Sequence, residues 1–151
     1  MAVNAKLLAE WLIVDEALFL TVYDDATEKP LRPGMTLQGH PTIGIGRALD
    51  VHGITHEEAV YLVTNDIERV VLELHQALPW FDSLDEVRST VLADMAFNMG
   101  TAGLLSFHDT LTFIKVGEYA QAADAMLSSK WCQQVGSRAK RLADRMRSGL
   151  A

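Results

Sequence analysis

One cysteine, Cys132, stands in a chain of 151 residues, so no intrachain disulfide can form and the fold needs no oxidising compartment. Nothing beside Cys132 in sequence supplies an activating base, and it reads as a small hydrophobe rather than a nucleophile. Basic charge is also in short supply: 13 Lys and Arg against 20 Asp and Glu leave a formal charge of −7. That balance argues against a broad nucleic-acid or anionic-membrane surface. Residues 1–10 lack a positive segment leading into an uninterrupted apolar run, so neither a cleaved leader nor a membrane anchor is expected. His52, His56, His75 and His108 have no zinc-ligand spacing and no serine sits in a nucleophile turn. Metal and triad chemistry are therefore not expected.

Apolar residues make up 49 % of the chain, enough for one substantial core, whereas a second would be hard to fill. A single domain over residues 1–151 is expected. Leu7, Leu8, Trp11, Leu12 and Asp15 predict a short amphipathic helix over residues 4–16. Phe19 to Tyr23 favour an extended strand, and Pro30, Pro33, Gly34, Gly39 and Pro41 punctuate residues 27–41 as a loop or loose hairpin. Thr42 to Gly46 then reads as a short strand with glycines that permit tight turning.

From Thr55 the period becomes helical. A Thr55 and Glu58 capping box precedes a stripe of Ala59, Val63, Ile67, Val70, Val71, Leu74 and Leu78, closed before Pro79. A second box, Ser83 with Glu86, opens a helix that stops near Gly100. Residues 110–116, 119–127, 130–134 and 137–146 predict further short helices. Together they describe an α+β chain in which a small β-hairpin lobe is joined by a long helix to a larger helical lobe. Lys130, Arg138, Lys140, Arg141, Arg145 and Arg147 gather late in the chain. They compensate helix dipoles or meet substrate carboxylates.

Glu16 near a helix end and Asp25 beyond a turning extended segment supply two carboxyl groups able to face one another across a cleft. Glycosidic cleavage needs such a pair: an acid at the leaving oxygen and, with inversion, a carboxylate that positions water on the far side of the sugar. The spacing alone carries little in a chain this acidic, where other pairs lie at similar separations.

The run Asp15 to Asp25 (DEALFLTVYDD), followed by Thr42, Ile43, Gly44, Ile45 and Gly46, resembles the active-site region of the T-even phage type of lysozyme, a family of phage endolysins. Trp80 to Arg88, then Phe97, Asn98, Met99, Gly100 and Phe107, and finally Lys130 to Gln134 with Ser137 to Arg141, resemble later motifs of that family in the same order. The resemblance implies a lysozyme-like fold and hydrolysis of the β-1,4 bond between N-acetylmuramic acid and N-acetylglucosamine in bacterial peptidoglycan, with inversion. It casts Glu16 as general acid, Asp25 as the group that orients or activates water and Thr42 as the hydroxyl that holds it. No cofactor or metal is implied. Arg138 resembles a basic residue near the catalytic glutamate, and Tyr23, Arg32, His40 and Asn98 are possible supporting or substrate contacts.

The chain departs from the family at Ala17, where glycine is usual, at Arg47, where histidine is common, and in the sixteen residues between Asp25 and Thr42, which make residues 27–41 an insertion. That insertion is expected to be peripheral to the fold. Arg47 cannot titrate as histidine does, but it can pair with an acid. Peptidoglycan is the expected partner of a monomer that does not insert stably in membranes. The expected location is the host bacterial cytoplasm, with access to the wall once a holin has permeabilised the membrane. The alternatives are a lytic transglycosylase, which would dispense with Asp25 and Thr42, and a catalytically silent peptidoglycan-binding phage structural protein.

Overall fold

The structure, a computed structural model, describes residues 3–15 and 18–151. The chain divides into two compact units, Met1–Ala59 and Val60–Ala151. This gives the α+β organisation that the sequence predicts, with strands confined to the first unit and helices dominating the second.

In the first unit, α1 (Ala5–Asp15) starts at Asn4, whose Oδ1 accepts from the Leu7 amide at 3.1 Å. Its apolar residues spread around the helix instead of forming one stripe, and Trp11 (59 % exposed) and Val14 (80 %) lie open. The sheet follows as β1 (Phe19–Asp24), β2 (Lys29–Pro30), β3 (Pro41–Gly44) and β4 (Arg47–Ala48), antiparallel in the order β2-β1-β3-β4. The register sets Tyr23 opposite Thr42 and Thr42 opposite Ala48. The predicted strand over 42–46 ends at Gly44. Gly44 and Gly46, both at φ 70°, turn the chain into β4, a conformation a side chain would strain. A short helix, α2 (Leu49–His52), comes next.

The buried side chains described in this unit are Tyr23, Asp24 and Thr42. So small a unit buries little apolar surface, and hydrogen bonds carry much of its specification.

α3 (His56–Ala77) runs across the division between units. Its predicted capping box forms in full: the Thr55 amide donates to Glu58 Oε2 at 2.8 Å and the Glu58 amide to Thr55 Oγ1 at 3.2 Å. The apolar stripe, however, is buried only at Val70, Leu74 and Leu78, whereas Val63 and Ile67 line an open groove with Phe97. After a 3-10 turn, Phe81–Ser83, α4 (Glu86–Met99) begins at Asp85 and not at the predicted Ser83. Ser83 spends its hydroxyl on the Trp80 carbonyl at 2.6 Å, while the Asp85 carboxylate takes both the amide and the guanidinium of Arg88, at 2.9 and 2.5 Å.

α5 (Thr101–Leu105), unforeseen, precedes α6 (His108–Lys115), α7 (Tyr119–Leu127), α8 (Lys130–Val135) and α9 (Ser137–Ser148). Leu74, Leu92, Met95, Leu104, Ile114, Met126 and Met146 form the fully buried centre. Each such side chain contributes about 1.5–3 kcal/mol through removal from water. Arg88 ties the chain end to this core, donating to the Met146 and Arg147 carbonyls beneath the Tyr119 ring. Among the described residues no helix is long and apolar enough to cross a membrane.

Candidate active site

Asp24 and Asp25, adjacent at the end of β1, take different tasks. Asp24 is buried (2 % exposed) and its carboxylate accepts three amides: Gln38 at 2.7 Å, Gly39 at 2.9 Å and Ala26 at 3.0 Å. Its carbonyl also accepts from Thr27 and Glu28, closing the turn into β2. The Gln38 amide above all holds the Asp24 carboxyl below its ordinary value, with burial opposing and the Ala26, Gly39 and Thr27 amides assisting. Because the folded-state value is lowered, this support is complete above the ordinary pKa of 3.8 and disappears as pH falls through the lowered one.

Asp25 lies one residue further, in the turn. Its amide donates to the His40 carbonyl at 3.2 Å, and its Oδ1 accepts the His40 amide at 2.6 Å. Thr42, in β3 and 2 % exposed, donates its hydroxyl to the same His40 carbonyl at 3.1 Å. The peptide of His40 thus brings Asp25 and Thr42 to one place despite the sixteen residues between them. The far part of the 27–41 segment is exposed, as expected of a peripheral insertion. Its return at residues 38–40 is not peripheral, since both aspartates hold it by hydrogen bonds.

Gly39 permits that return. A Cβ there would lie 2.0 Å from Asp25 Oδ1 and 2.8 Å from both the amide nitrogen and the Cβ of Ala26. A carboxylate can rotate away, but the Ala26 backbone cannot. Gly39→Ala should displace the Asp25 carboxylate and lower any turnover that depends on it by at least about tenfold. The core of the second unit should be untouched. Initial rates, read beside a thermal melt, check this, and a folded variant with the wild-type rate would contradict it.

The remaining candidates separate. Glu16 and Ala17 lie outside the described residues. Tyr23 is buried (7 % exposed), with its ring 4.2 Å from that of Phe19, and so it supports the sheet. Arg32 is exposed in the loop, where its carbonyl closes a turn with the Met35 amide. The His40 imidazole is exposed, with Nδ1 2.9 Å from Asp50 Oδ2. In the second unit, Asn98 accepts from the Trp131 indole at 2.9 Å and Arg138 pairs with Asp94 at 2.8 Å. The charge of Arg138 is therefore engaged, at the edge of the groove lined by Val63, Ile67 and Phe97.

Arg47 does find an acid. Its guanidinium donates to Glu58 Oε2 at 2.6 Å. The Thr55 amide first, and then Arg47, hold the Glu58 carboxyl low, which fastens β4 to the start of α3. Sequence reasoning missed Asp24, Gly39 and Asp50. The Asp-Asp-Ala-Thr turn was the available signal for Asp24, since such residues close turns with their side chains. Among the described residues, no group of three or more His, Cys, Asp or Glu side chains is placed to hold a metal ion.

Comparison with known proteins gives a match to the family model for phage lysozyme over residues 16–148. The chain is 29 % identical over 163 aligned residues to the pre-baseplate central spike protein Gp5 of Enterobacteria phage T4, covering 89 % of this chain and 26 % of that protein. It is 30 % identical over 69 residues to probable T4-type lysozyme 1 of Dictyostelium discoideum, covering 46 % of this chain and 41 % of the relative. The chain thus matches about a quarter of the length of the first relative and about two fifths of the second.

Proposed function

Because the chain belongs to the phage lysozyme family and shares its α+β, lysozyme-like fold, we propose that it hydrolyses the β-1,4 bond between N-acetylmuramic acid and N-acetylglucosamine in bacterial peptidoglycan, with inversion at the anomeric carbon. Glu16 protonates the leaving oxygen. Asp25 draws a proton from the attacking water, and Thr42 holds that water.

The observation that carries this reading is the shared bond to His40. Asp25 Oδ1 is occupied by the His40 amide, which orients the carboxylate, and among the described residues no donor takes Oδ2, which suits it to water. Thr42 sends its hydroxyl hydrogen to the His40 carbonyl, so the lone pairs of Oγ1 can accept from the same water. An inverting enzyme needs such a water between its base and the sugar. The protein acts as a monomer without a cofactor. It folds in the host cytoplasm and meets the wall after a holin-type membrane lesion. Arg32 and the late cations Lys140 and Arg141 suit the carboxylates of stem peptides.

Mass analysis of fragments from purified peptidoglycan tests the reaction. Reducing sugar ends are expected. Anhydro ends would indicate a lytic transglycosylase, and an intact wall a binding protein. A second reading rests on the match of 89 % of this chain to a central spike protein: the lysozyme-like unit works as part of a phage particle and not as a free endolysin. Immunodetection on purified particles separates the two, since a free endolysin is absent from them.

A further inference from the structure

His40 belongs to the segment that departs most from the family pattern, yet it is the residue on which the water site turns. Its carbonyl accepts from both the Asp25 amide and the Thr42 hydroxyl, and its amide donates to Asp25 Oδ1. On the His40 side only the backbone makes these bonds, so any residue but proline at position 40 could form them. What the histidine adds is its side chain, with Nδ1 2.9 Å from the carboxylate of Asp50 in the first turn of α2. Asp50 follows β4, and β4 pairs with β3 opposite Thr42. The imidazole therefore ties the incoming end of the 27–41 segment to an element already in register with Thr42.

We propose that His40 is a positioning residue for the reacting water: its peptide holds Asp25 and Thr42 together, and its imidazole, latched to Asp50, fixes that peptide, so that turnover depends on an intact His40–Asp50 pair. This rests on the hydrolase reading above. Both partners are about half exposed, at 52 % and 45 %, and such pairs add little to global stability. The latch governs position rather than folding.

Two described acids act on the imidazole, Asp50 from α2 and Asp25 from the turn after β1. The hydrogen bond to Asp50 and then its charge hold the imidazolium above the ordinary value of 6.5, with burial opposing and the Asp25 charge assisting. Since the folded-state value is raised, the latch is complete below pH 6.5 and is lost as pH rises through the raised value.

The test pairs NMR titration of the His40 ring with kcat and KM measured against pH on a soluble glycan, for wild type, Asp50→Asn, His40→Ala and the double variant. Asp50→Asn should lower the His40 midpoint. Each single variant should reduce kcat about three- to tenfold at pH 6, with KM within about twofold, because misplacement costs turnover more than binding. The double variant should lose no more than either single one. A wild-type midpoint at or below the ordinary value, one unchanged by Asp50→Asn, or additive losses in the double variant would overturn the latch. A raised midpoint in a wild-type protein that leaves glycan intact would overturn the hydrolase reading and, with it, the latch's role in turnover. The ring titration would still establish the pair itself.

Discussion

Glu16→Gln should remove nearly all wall hydrolysis, by a factor on the order of 10² to 10⁴. The amide matches the carboxyl in size but has no proton to give the leaving oxygen, and a sugar alkoxide is too poor a leaving group to depart unprotonated. The change leaves the Asp25, His40 and Thr42 bonds with all their partners, so the loss should fall on kcat. Turbidity decay of purified walls, with a melt as the check on folding, gives the result. A folded variant that kept about one-third of the wild-type rate would sink the assignment, since a general acid contributes far more than that.

Asp25→Asn should be nearly as severe, at about a hundredfold or more, and it is informative because of what it keeps. The carboxamide oxygen of the substituted side chain can still accept the His40 amide that Asp25 Oδ1 now accepts at 2.6 Å, so the turn should hold. The negative charge that draws a proton from water is lost. Asp25→Ala would remove both, and comparing the two separates chemistry from architecture. Rates on a soluble glycan together with fragment-end analysis decide the matter. A folded, fully active Asp25→Asn protein releasing anhydro ends would establish transglycosylation, which needs no base for an external water.

Much of the helical unit was legible in the sequence because its determinants are local. The capping box at Thr55 and Glu58 formed as predicted, α3 closed before Pro79 and α4 stopped at Gly100. α7 occupies its predicted span of residues 119–127. The misreadings also have local causes. Ser83 and Asp85 are both good caps, and what favoured Asp85 was the side chain of Arg88, which reaches back to it while anchoring the chain end. The short helices α2 and α5 hold too few residues to show a period.

At the site, Asp25 and Thr42 became candidates through the resemblance of their motifs to the family's, since the spacing of carboxylates alone carries little in a chain this acidic. Sequence alone thus determined the α+β composition and the family. It could not show that the inserted segment returns to the aspartates. That return depends on a strand register setting Tyr23 opposite Thr42, on a buried Asp24 gathering amides fourteen and fifteen positions away, and on the space left by Gly39. Nor could it pair His40 with Asp50 or Arg47 with Glu58. These are contacts between segments whose approach is fixed by sheet pairing and turn geometry, and a one-residue slip in that pairing would dissolve them. Only the tertiary structure decided them.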